Sequence, residues 1–161
     1  MIDIVRINGG FGSWDELLAL ILSSFSYMDD LIDPPSSAHR LTPASLAQKA
    51  SDEIAFVAVE DGRLLGCVFL RPEAECLYVG KLAVAPGLQG KGIGRRLLDV
   101  TEKTAQDLGL STLRLETRIE LVGNHTTFGR WGFRKTAEKS HPGFERITYI
   151  EMCKELERIP A

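Results

Sequence analysis

The chain is poor in several residues and patterns whose presence would point elsewhere. It has three cysteines in 161 residues, at 67, 76 and 153. None forms a CxxC pair and three thiols cannot all pair with one another, so no disulfide framework is expected and a reducing cytoplasm is the natural compartment. No apolar run approaches the roughly 18 residues needed to cross a membrane. The opening Met-Ile-Asp-Ile-Val-Arg has neither a charged n-region nor a cleavage site, so no secretory signal is expected. A basic excess is lacking too: 19 Lys and Arg stand against 22 Asp and Glu, a net charge of −3. That argues against a nucleic-acid-binding surface. Internal repeats, low-complexity segments and linkers are missing. Apolar residues make up 44% and charged residues 25%, the ordinary globular balance. One domain over residues 1–161, with one core, is expected.

The polar and apolar pattern alternates between strand and helix signals. Ile2, Ile4 and Ile7 read as an opening strand ended by Gly9-Gly10. Ser13 and Glu16 form a capping-box signature, and Trp14, Leu17, Leu18, Ile21, Leu22 and Phe25 follow at helical spacing. Residues 28–42 break every periodicity around Pro34-Pro35, and gather Asp30, Asp33, Ser36, Ser37, His39 and Arg40. Thr42 and Pro43 start a second helix, which ends near Asp52. Residues 54–60 and 64–70 are a strand pair joined by the Asp61-Gly62 turn. Cys67 and Cys153 fall in apolar, strand-like runs, where cysteine serves as a small buried hydrophobe. Residues 111–117 are a strand, and 133–139 with 145–152 a closing pair around His141-Pro142-Gly143.

The chain is organised around residues 77–98. An apolar β-prone run ends at Val84, and Pro86 stops it because it has no N–H for a ladder. Four glycines follow in eight residues, Gly87 to Gly94; then Ile93, Leu97, Leu98 and Thr101 take up helical spacing, with Gly109 beyond the helix end. A strand, a glycine turn and a helix N-terminus make a site for a phosphate or pyrophosphate. Gly92 is followed by Ile93, so the P-loop pattern fails. Gly90 and Gly92 are followed by Arg95 where a dinucleotide fingerprint needs its third glycine. The pattern Q/R-x-x-G-x-G/A is met in full by Gln89, Gly92 and Gly94.

That signature resembles the acetyl-CoA pyrophosphate loop of the GNAT superfamily of acyl-CoA-dependent N-acyltransferases. Leu82-Ala-Val-Ala-Pro resembles the family's fourth strand. Asn124, Gly132 and Phe133 match its N-x-x-x-Y-x-x-x-G-F segment, with Phe128 at the tyrosine position. The resemblance implies an α/β (α+β) fold, a single domain with a mixed sheet of about seven strands flanked by about four helices. It implies an acyltransferase that moves an acetyl group from acetyl-CoA directly to a primary amine of a small molecule or peptide, by a monomer or homodimer. A non-catalytic CoA-binding regulatory domain is the alternative, supported by Phe128. The backbone of Leu82, Ala83 and Val84 would pair with the pantetheine arm. Gln89, Gly90, Lys91, Gly92, Ile93, Gly94 and Arg95 would hold the pyrophosphate, with Arg96 able to add charge, and Asn124 and Phe128 would lie along the CoA arm. No metal is expected. The general base is open among Glu116, Glu75, Glu73, His39 and His141. Tyr78 and Tyr149 stand as alternative acids, and the loop 28–42 is expected to touch the acceptor.

Overall fold

The structure, a computed structural model, describes residues 1–157. Its elements run β1 (Asp3–Arg6), α1 (Trp14–Phe25), α2 (Pro43–Asp52), β2 (Ile54–Glu60), β3 (Arg63–Pro72), β4 (Leu77–Val84), α3 (Ile93–Asp107), β5 (Thr112–Arg118), α4 (Val122–Arg130), β6 (Arg134–Lys139) and β7 (Tyr149–Glu155). One seven-stranded sheet takes the order β1-β2-β3-β4-β5-β7-β6. Every neighbouring pair is antiparallel except β4 and β5. This is the mixed sheet with four helices that the resemblance implied. No helix among the described residues is long and apolar enough to cross a membrane.

Alternation along the strands builds two apolar layers. On β3, Val68 and Leu70 face a core shared with Ile93, Leu97 and Leu98 of α3. Cys67 and Phe69 face the other core, with Leu17 and Ile21 of α1 and Leu46 of α2. The Asp61-Gly62 turn has both residues at positive φ (51° and 77°), the geometry that matches strand twist. Cys67 is fully buried as expected, and burial pushes its thiol up to about 12.

Two local expectations fail. Ser13 makes no capping bond at the start of α1; Glu16 instead accepts the Leu64 N–H at 3.0 Å, so the carboxylate ties the helix to β3. At α2, by contrast, Thr42 and Ser45 cap each other reciprocally. The last strand begins at Tyr149 rather than 145, because side chains replace the ladder beforehand. Ser140 Oγ donates to the Arg146 carbonyl at 2.7 Å, and the His141 N–H donates to Thr148 Oγ1 at 2.8 Å.

Candidate active site

The parallel strands β4 and β5 pair only at Leu77 with Leu113 and Tyr78 with Arg114. Beyond that point β4 is bulged. Gly80 opposes Phe69 and Ala83 opposes Cys67, so Lys81 and Leu82 together face the single residue Val68. Lys81 sits at φ 49°. A bulge bends its strand and reverses the facing of every later residue. Leu77 and Val79 face the α3 core, whereas Ala83 faces the α1 core. The strands therefore part, leaving a cavity of about 430 Å³. Lys81 and Leu82 of β4, Glu116 and Arg118 of β5, and Asn124 and Phe128 of α4 line it, under a roof of residues 34–37 and Arg40.

The edge of β4 leads out of this cavity to the glycine loop. The Ala85 N–H donates to Leu65 at 2.8 Å, which fixes the pleat so that Leu82 and Val84 turn their amide groups away from β3, where β5 no longer pairs. The Val84 carbonyl is taken up by the Ser24 hydroxyl at 2.9 Å and by Gln89 Nε2 at 3.2 Å. Gln89 thus anchors the loop to the strand end. Gly92, at φ 83°, is the N-cap of α3 and has no side chain to cap with. The first helical bond runs from Arg96 N–H to the Gly92 carbonyl, leaving the amides of Ile93, Gly94 and Arg95 directed outward. No acidic residue stands in that first turn, whereas α1 carries Asp15 and Glu16 in its own. A helix start without caps or carboxylates suits an anionic ligand.

The cations expected near the loop divide. Arg95 pairs with Asp99 at 3.3 Å, and Arg96 reaches the Ile2 carbonyl. Lys91 is exposed, with no ion pair among the described residues.

The polar groups of the cavity have distinct partners. Glu116 Oε2 is shared by Arg114 at 3.2 Å and Lys139 at 3.6 Å, while Oε1 stands 3.5 Å from the Tyr78 hydroxyl. Burial, reinforced by Glu116, pushes the Tyr78 hydroxyl up to about 12. His141 lines the cavity, and burial lowers its pKa from the ordinary 6.5, with Arg118 acting in the same direction. Its Nδ1 lies 2.5 Å from Thr148 Oγ1. Thr148 is fully buried and also accepts the His141 N–H, so the hydroxyl holds both the backbone and the ring of His141. Nε2 is the ring nitrogen left without that contact.

Of the expected bases, only Glu116 and His141 line the cavity. Glu75 is exposed in the turn between β3 and β4. His39 pairs with Asp29 at 2.7 Å. Glu73 is committed to Arg114 at 3.0 Å, a bond that holds its carboxyl down at about 2. Ala83 is buried against Cys67 rather than facing the cavity. Asn124 accepts from the Tyr27 hydroxyl at 3.4 Å. From the loop 28–42, Ser36, Ser37 and Arg40 line the cavity and Asp30, Asp33 and His39 do not. Sequence reading missed Lys81 and Arg118. Lys81 carried a signal: it is the only charge within the apolar run Leu77–Val84.

The sequence profile described as the Acetyltransferase (GNAT) family matches residues 14–133. An IAA acetyltransferase of Azospirillum brasilense is 34% identical over 122 residues, 74% of this chain and 77% of that protein. The solved structure of an IAA acetyltransferase from Bacillus cereus ATCC 14579 matches with TM-score 0.67 at 25% identity, over 97% of this chain and 100% of that one. A GNAT family acetyltransferase from Elizabethkingia anophelis, solved with acetyl-CoA bound, shares the fold with TM-score 0.68 at 23% identity, over 96% of this chain and 98% of that one. With the profile spanning most of the chain, from α1 through the glycine loop to Phe133, this protein belongs to the GNAT acetyltransferase family.

Proposed function

We propose that the chain transfers an acetyl group from acetyl-CoA directly to a primary amine of a small acceptor, with residues 1–161 forming one such domain. The observation that carries this reading is the continuous path from the uncapped start of α3, along the unpaired edge of β4, into the cavity. The pyrophosphate would take the amides of Ile93 to Arg95. The pantetheine arm would take the open edge of β4 through the backbone of Leu82 and the Val84 N–H, as an added strand does, the Val84 carbonyl being held by Ser24 and Gln89. The thioester would then lie between the bulge at Lys81 and the Phe128 ring. The fold bound to acetyl-CoA in the Elizabethkingia protein supports the choice of thioester.

In the transfer step the neutral amine nitrogen attacks the thioester carbonyl carbon. A C–N bond forms, the C–S bond breaks, and the electron pair leaves with the CoA sulfur. The amine gives up one proton and the thiolate takes one. Of the cavity groups, Glu116 is the carboxylate able to accept the amine proton through its Oε1 side, and the thiolate takes its proton from solvent. Phe128 offers no hydroxyl to the thiolate.

Acetyl-CoA at about 100 times its Kd should add about 2.7 kcal/mol of stability. For a chain of this size that is about 5–10 °C in Tm. Gly92→Asp should fold with a lowered Tm, since Asp there is strained at positive φ, and should abolish the shift by placing a carboxylate at the helix start. Absence of any shift in the wild type at millimolar acetyl-CoA would overturn the reading.

A further inference from the structure

The charge balance of the acceptor end of the cavity carries a statement about the substrate. Three cations line it, Arg40 from the roof, Lys81 from the bulge and Arg118 from β5. The lining holds one carboxylate, Glu116, and its Oε2 is already shared by Arg114 and Lys139. Among the described residues no carboxylate lies within ion-pair distance of Arg40, Lys81 or Arg118.

Among the described residues, the hydrogen bonds of Arg118 and Lys81 go to neutral groups, while Glu120 and Asp33 act on Arg118, and Glu53 on Lys81, only at longer range. Arg118 donates to the Pro34 carbonyl at 2.7 Å and the Pro35 carbonyl at 3.1 Å, so it pins the roof. Lys81 donates to Ser37 Oγ at 3.0 Å. Arg40 is exposed, with no side-chain hydrogen bond or ion pair among the described residues. Burial, then the like charges of Lys49 and Arg40, lower the Lys81 pKa. Lys49 itself is neutralised by Glu53 at 2.7 Å. Lys81 and Arg40 line one cavity with Ser37 between the two elements' contributions to its wall, and their like charges act on each other; an anion seated beside both offsets that repulsion.

We infer that the acceptor is a small amine bearing a carboxylate, of the amino-acid class, whose carboxylate seats between Lys81 and Arg40 beside Ser37. The bulge makes the placement specific. It lies beyond the last β4–β5 pair, and Lys81 and Glu116 line the same cavity, so a carboxylate held at Lys81 keeps the amine within the cavity that holds Glu116. Diamines and polycations are repelled by the same pair. The inference rests on the acetyl-transfer reading and narrows its substrate.

The test is CoA release by the purified chain with acetyl-CoA, using each common L-amino acid beside its own primary amide. The amide's α-amine sheds its proton more readily, so intrinsic reactivity favours the amide, and a preference for the acid must come from the protein. We expect the best amino acid to exceed its amide at least about 30-fold in kcat/KM, expressed mainly in KM. Arg40→Gln and Lys81→Met should each cut that ratio about tenfold, and Arg40→Lys should keep most of it. Arg40 is exposed, so its variants test the idea even if Lys81→Met fails to fold. Acid and amide within threefold of each other, or a preference that survives both substitutions, would overturn the inference while leaving acetyl transfer standing. No CoA release with any amine would overturn acetyl transfer itself, and this inference with it.

Discussion

Phe128 has neighbours that explain its ring and its lost hydroxyl together. It meets Trp131 and Phe133 edge to face, each at a centroid distance of 5.8 Å, and its other side lines the cavity. Such pairs add about 0.5–1.5 kcal/mol beyond burial. The departing sulfur must find its proton elsewhere or leave as a thiolate. Tyr78 is poorly suited to supply it. Its hydroxyl, at about 12, lies well above an ordinary thiol near 8.5, so transfer to the thiolate runs uphill. A positioned acid contributes about 10²–10⁴-fold. Phe128→Tyr should therefore fold and either raise kcat or leave it unchanged, and Tyr78→Phe and Tyr149→Phe should each cost under about tenfold in kcat. A hundredfold loss from either tyrosine change, with acetyl-CoA binding intact, would place the acid on that tyrosine.

The start of α3 shows two glycines chosen for different physical reasons. Gly92 adopts φ 83° and a Cβ there would meet no atom within 4 Å; its backbone conformation and open face matter. Gly94 has ordinary helical φ, but a Cβ would sit 3.1 Å from the Trp131 ring. Replacing a helical glycine by alanine on an open face stabilises by about 0.5–1 kcal/mol. At Gly94 the crowding should reverse that sign and destabilise by about 1–3 kcal/mol. Urea denaturation of Gly94→Ala reads the sign directly. In a Trp131→Leu background the same change should become neutral or stabilising. A stabilised Gly94→Ala in the wild-type background would mean that the ring moves freely and does not set the loop.

Across the whole molecule, the paired end of β4 and β5, next to the cavity, is closed by charge. Where β4 and β5 still pair, Arg114 bonds Glu73 through Nε at 3.0 Å and a terminal nitrogen at 3.1 Å. It also stands 3.6 Å from Glu151 on β7, so one guanidinium ties the β3–β4 turn to β5 and β7. Glu73 is held at about 2, below its ordinary 4.5. A depressed carboxyl pKa gives stability that is fully present above the ordinary value and is lost as pH falls toward the folded one. The wild type should thus lose stability relative to Glu73→Gln between about pH 4.5 and 2, the two curves meeting at the acid end. Urea midpoints measured across that range check it. Parallel curves would show that the pair adds nothing that depends on protonation.

Local pattern determined much of this protein. Strand and helix periodicity, the Asp61-Gly62 turn and the Gln89 to Gly94 spacing were legible because each rests on residues close in sequence. They placed the phosphate-type loop and the family resemblance. Only the tertiary structure decided which side chains share the cavity. The capping of α1 was misread because Glu16 found a partner 48 residues away, the Leu64 N–H. Glu75 and Glu116 were indistinguishable as carboxylates until the splay of β4 from β5 put one in the cavity and left the other in a turn. The bulge that parts those strands depends on register against β3. It turns Lys81 from a stray charge in an apolar run into a cation that lines one cavity with Arg40, a residue 41 positions earlier on a different element. Charge pairing across such separations is set by the folded geometry, and no spacing rule in the chain encodes it.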